Sequence, residues 1–117
     1  MTTVRIYHNP RCSKSREALA LLEERGLEIE TVAYLETPPD NATLSALLKE
    51  LGMTARELMR RKEDVYRELN LDNPELSEAQ LVQAMVDYPK LIERPIVQAN
   101  GKTIVARPPQ RIEELFE

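Results

Sequence analysis

Val4-Arg5-Ile6-Tyr7 alternates apolar and polar positions in a β-rich stretch, which predicts a strand. A helix is predicted from about Ser13 to Arg25, with Ala18, Leu19, Leu21 and Leu22 on its buried side. Gly26 stands where a left-handed stop would end it. Ile29-Glu30-Thr31-Val32-Ala33-Tyr34 reads as a second strand, so the first third of the chain forms a βαβ unit with a parallel pair. The middle is helical. Leu44, Leu47, Leu48 and Leu51 fall at i, i+3, i+4 and i+7, with Gly52 after them. Thr54 through Glu57 and Ser77 through Gln80 each have the spacing of a capping box. The helix opened by Ser77 carries Leu81, Met85 and Tyr88 on one face and stops at Pro89. Pro95-Ile96-Val97-Gln98 and Lys102-Thr103-Ile104-Val105 are short strands joined by Asn100-Gly101, a strong hairpin signal. Pro109 sits near the start of a last short helix bearing Ile112, Leu115 and Phe116.

The order is β-α-β, then helices, then β-β-α. It predicts an α/β fold: a thioredoxin-like mixed four-stranded sheet, with βαβ and ββα halves around a helical insertion at about residues 41–89. At 117 residues the chain has room for one domain spanning 1–117, on the usual scale of roughly 100–200 residues per domain.

Composition narrows the function. A net charge of -4 argues against a nucleic-acid partner, which would call for a basic face. No stretch approaches the roughly 20 apolar residues of a membrane span, and the first residues lack the apolar run of a signal peptide. A single cysteine excludes an intramolecular disulfide and a multi-cysteine zinc site, and it suits a reducing compartment. A cytoplasmic protein with no membrane partner, no metal and no bound cofactor is expected. Eleven Arg stand against five Lys, and the planar guanidinium grips oxyanions at two points where an ammonium cannot.

That cysteine, Cys12, follows a strand and lies just before a helix. The first turn of a helix offers unpaired N–H groups and the positive end of the dipole, both of which stabilise a thiolate. Arg11, Lys14 and Arg16 add local positive charge. A buried structural thiol is the alternative, but polar, cationic flanks favour a nucleophile. His8, the sole histidine, either holds a proton near the sulfur or simply closes the strand. Ser15 completes a C-x-x-S run where a dithiol oxidoreductase has a second Cys, so this chain cannot resolve its own disulfide and any redox cycle must borrow an external thiol. Arg94 and Arg107 each precede a proline, which restricts their backbone to extended geometry. Arg60 is a third cation of interest, and the sequence alone cannot bring the three together.

Together these segments resemble the glutaredoxin-coupled arsenate reductase family, the ArsC family. The resemblance runs through Tyr7-His8-Asn9-Pro10 into Cys12, Ser15-Arg16, Tyr34 to Pro39, Arg56 to Arg61 with Tyr66, Leu91 to Val97, and Arg107-Pro108. It implies that Cys12 attacks arsenate or a related oxyanion surrounded by Arg60, Arg94 and Arg107, with His8 and Ser15 in support. It also implies that glutathione, as co-substrate, reduces the Cys12 adduct, and that glutaredoxin then clears the mixed disulfide. Pro95 takes the position of the cis-proline that faces the active cysteine in thioredoxin-like proteins. Two other readings remain: a redox-responsive transcriptional regulator of the Spx type, and a glutathione-dependent thiol oxidoreductase on another substrate. The sensor of the former is typically C-x-x-C, and Ser15 removes its second sulfur.

Overall fold

A computed structural model describes residues 3–116. The chain divides into two compact units, one made of the segment up to Thr37 together with that from Arg94 onward, the other of Pro38–Glu93.

The first unit is built on a four-stranded mixed sheet, β1 (Thr3–Tyr7), β2 (Glu28–Val32), β3 (Ile96–Ala99) and β4 (Lys102–Val105), in the order β2-β1-β3-β4. β1 pairs parallel with β2, with Val4 opposite Ile29, and antiparallel with β3, with Ile6 opposite Val97. This is the expected thioredoxin-like order. Helix α1 (Ser13–Glu24) supplies the crossover between the two parallel strands. Val4 and Ile6, two residues apart and thus on one face of β1, pack with Ala18 and Leu22 of α1 and with Val97, Ile112 and Leu115 into one fully buried cluster. Burying a side chain of this size contributes roughly 1.5–3 kcal/mol. Leu19 and Leu21 pack only partly buried against its margin, so the apolar face of α1 is narrower than the sequence suggests.

Local chemistry sets the boundaries. Gly26 ends the first helical segment with φ +68. In the β3–β4 turn Asn100 and Gly101 both take positive φ, 53° and 74°, as a tight two-residue hairpin requires. β3 begins at Ile96 rather than Pro95, because proline has no N–H to give a ladder. The last segment, Pro109–Phe116, is 3-10 rather than α-helical. Its buried positions Pro109, Ile112 and Leu115 recur every three residues, the period that puts them on one stripe of a three-residue turn.

The second unit holds α2 (Asn41–Leu51), α3 (Ala55–Leu58), α4 (Asp64–Glu68) and α5 (Glu78–Asp87), then a 3-10 turn at Pro89–Leu91. Both predicted capping boxes are present, at Thr54 with Glu57 and Ser77 with Gln80. Gly52 closes α2 at φ 69. One expectation fails. Tyr88 does not extend the buried face of Leu81 and Met85 but is 43% exposed. It caps α5 at φ -131 and ψ 75, so its side chain leaves the helical row just before Pro89. Met59 forms an antiparallel bridge to Ile92, flanked by Arg60 N–H donating to Leu91 O and Glu93 N–H to Leu58 O.

Candidate functional site

The turn between β1 and α1 carries Cys12 at the N-cap of α1, in extended geometry at φ -94 and ψ 121, half-buried and without a disulfide partner. Asn9 organises this turn. Its carbonyl accepts the Cys12 N–H at 3.0 Å, its Oδ1 accepts the Arg11 N–H at 2.9 Å, and its own N–H donates to Ser15 Oγ at 3.0 Å. Asn9 was not among the site residues expected from the sequence. The signal was available, because Asn two residues before a backbone N–H forms an Asx turn and Asn-Pro initiates turns.

Ser15 is fully buried, and its hydroxyl also lies 2.6 Å from His8 Nδ1. His8 itself is 9% exposed. Burial, and then the positive charge of Arg16, hold the imidazole pKa below its ordinary value. His8 is therefore neutral at neutral pH and brings no positive charge to the sulfur.

Burial pushes the Cys12 thiol pKa up, but other effects outweigh it. The Ser15 N–H, the hydrogen-bonding Arg94 guanidinium, the Lys14 N–H and the Arg94 charge bring the thiol below its ordinary value. The first turn of α1 and a cation delivered from the start of β3 thus act on the same sulfur. Arg107, after β4, joins them. Its Nη1 lies 4.0 Å from Cys12 Sγ and donates to the Arg94 carbonyl at 3.1 Å. Arg94 and Arg107 are separated from Cys12 by most of the chain, and the adjacency of β1, β3 and β4 brings them together. The Arg94–Pro95 peptide bond is cis, and so is Arg107–Pro108.

Arg60 belongs to the helical unit. It is held there by Glu93, whose Oε1 accepts from Nη1 at 2.8 Å, and by Glu63, which accepts from Nε at 3.3 Å. Beside the Cys12 turn, a groove of ≈ 300 Å³ is lined by His8, Asn9, Pro10, Arg11, Ala33, Leu35 and Glu36. Among the described residues no group of three His, Cys, Asp or Glu side chains could hold a metal ion. No helix among them is long and apolar enough to cross a membrane.

A thiolate flanked by two guanidinium groups can attack an electrophilic centre that carries anionic oxygens, since the cations hold the oxygens while the sulfur bonds to the centre. The chain is 66% identical over 113 residues to the uncharacterized protein YfgD of Escherichia coli K12, covering 96% of this chain and 95% of that one. It is 55% identical over 117 residues to a protein of Neisseria meningitidis named arsenate reductase, covering 99% and 100%. A solved structure described as arsenate reductase from Vibrio cholerae superposes with a TM-score of 0.94 at 50% identity, covering 97% of this chain and 98% of that one. The ArsC family model matches residues 7–115, nearly the whole chain from the end of β1 to the last 3-10 turns, and the protein belongs to the ArsC family.

Proposed function

We propose that this protein is an arsenate reductase that uses Cys12 as nucleophile and glutathione and glutaredoxin as reductants. The observation that carries the reading is the Cys12 sulfur at the start of α1, hydrogen-bonded by Arg94 and 4.0 Å from Arg107 Nη1. The names of the relatives from Neisseria meningitidis and Vibrio cholerae support the substrate.

In this scheme the Cys12 thiolate displaces an oxygen of arsenate as hydroxide or water, and Arg94 and Arg107 neutralise the remaining oxygens. Arg60 is assigned the third cationic role on family resemblance. Reduction of arsenic from the +5 to the +3 state takes two electrons, and these come from two thiols joining as a disulfide. The chain holds one cysteine, so the second sulfur is external. Glutathione attacks the Cys12–arsenic adduct, arsenite leaves, and a Cys12–glutathione disulfide remains. A glutaredoxin thiolate then takes the glutathione and frees Cys12. Dependence on these reductants places the protein in the cytoplasm.

The test is arsenite production from arsenate with glutathione and glutaredoxin, run beside Cys12→Ser. Omitting glutaredoxin should stall turnover with one glutathione on Cys12 by intact-mass spectrometry. Steady turnover on thioredoxin alone, with no glutathione present, would refute the reductant; arsenite formation by Cys12→Ser would refute the nucleophile.

A further inference from the structure

The bond between Ser15 and His8 lies outside the oxyanion chemistry above, and its hydrogen-bond directions can be worked out from the partners. Ser15 Oγ lies 3.0 Å from the Asn9 nitrogen, which can only donate. One lone pair of the hydroxyl is therefore taken. The same oxygen lies 2.6 Å from His8 Nδ1, and the residue is fully buried. If Nδ1 carried a proton, the oxygen would accept twice and its own proton would be the one to lose this partner. If Nδ1 is bare, the hydroxyl donates to it and both contacts are satisfied.

We infer that Ser15 is a positioning residue for the Cys12 nucleophile: its hydroxyl accepts from Asn9 N–H and donates to His8 Nδ1, fixing His8 as the neutral Nε2–H tautomer and closing the turn that holds Cys12. The closure works through two links. Ser15 Oγ anchors the Asn9 nitrogen, and the Asn9 carbonyl holds the Cys12 N–H at 3.0 Å. The backbone N–H of Ser15 meanwhile acts on the Cys12 sulfur, so one residue fixes both ends of the turn. His8 lines the groove beside this turn, and with Nδ1 committed inward its remaining ring nitrogen is a hydrogen-bond donor, not a base. The inference rests on Cys12 as the reactive thiol and is indifferent to whether arsenate is the substrate.

His8 is the sole histidine, so side-chain nitrogen NMR of uniformly ¹⁵N-labelled protein reads it without competing signals. The wild-type chain at neutral pH should show a bare Nδ1 and a protonated Nε2. A protonated Nδ1, in either the other neutral tautomer or the imidazolium, would overturn the inference without any variant. Ser15→Ala removes the hydroxyl and should give a mixture of tautomers, together with an upward shift of the pH midpoint for Cys12 alkylation; Ser15→Thr, which keeps a hydroxyl, should move both readouts back toward wild type. A Ser15→Ala protein with the wild-type tautomer and the wild-type midpoint would show that the hydroxyl positions nothing. A residue that merely added stability would leave the tautomer unchanged, and neither readout depends on arsenate turnover.

Discussion

Replacing Arg107 by Lys and by Met separates what its charge does from what its shape does. The guanidinium commits one N–H to the Arg94 carbonyl at 3.1 Å while the same nitrogen stands 4.0 Å from Cys12 Sγ. Its flat fork braces the Arg94 backbone while facing the sulfur, and in the proposed reaction it would meet an oxyanion at the same time. A Lys ammonium is a single point on a flexible stem, so holding the carbonyl draws it away from the anion. Loss of one charge-assisted hydrogen bond costs about 1.5–3 kcal/mol, which is about 10- to 160-fold in kcat/KM at about 1.36 kcal/mol per decade. Met removes the charge as well. Two unit charges 4.0 Å apart interact by about 1 kcal/mol in water and about 4 kcal/mol at an effective dielectric of 20, and the half-buried Cys12 lies between these limits. The Met variant should therefore fall at least another several-fold below Lys, toward the 10²–10³-fold loss typical of removing one oxyanion donor. Arsenate kinetics with glutathione and glutaredoxin saturating would give the order wild type, Lys, Met. Lys and Met variants both within twofold of wild type would show that Arg107 does not act on the reacting anion. Equal, large losses would show that charge is irrelevant and only the brace on Arg94 matters.

Two further outcomes test other parts of the molecule. Alkylation of Cys12 by iodoacetamide should stay fast below the ordinary thiol range and decline only as pH falls through the lowered midpoint, since the thiolate is the reactive form; a midpoint at or above about 8.5, the value of free cysteine, contradicts the stabilised thiolate. Leu22→Ala should destabilise the protein by about 2–5 kcal/mol, because Leu22 is fully buried in the cluster of Val4, Ile6, Ile112 and Leu115; a change in urea midpoint equivalent to under about 1 kcal/mol would mean that this cluster is not a close-packed core.

Much of the fold is legible in the sequence because its signals are local. Alternation at Val4 to Tyr7, the 3-4 spacing of Leu44 to Leu51, the two capping boxes and Asn100-Gly101 each act within a few residues, and each appears where its chemistry requires. The placement of Cys12 between a strand and a helix start was likewise readable, because the strand, the turn and the helix that surround it are contiguous. Tyr88 and the final 3-10 segment departed from expectation because a periodic pattern does not reveal where a chain leaves its helix or which period its last turns adopt. The convergence of Arg94 and Arg107 on the sulfur was decided by tertiary structure alone. It depends on β3 pairing with β1, whose partners are separated by most of the chain, while β4 follows β3 through the local hairpin. The buried link from Ser15 to His8 and Asn9 also needed the fold. A C-x-x-S run specifies a missing sulfur, but only the closure of the turn shows where the hydroxyl that replaces it makes its bonds.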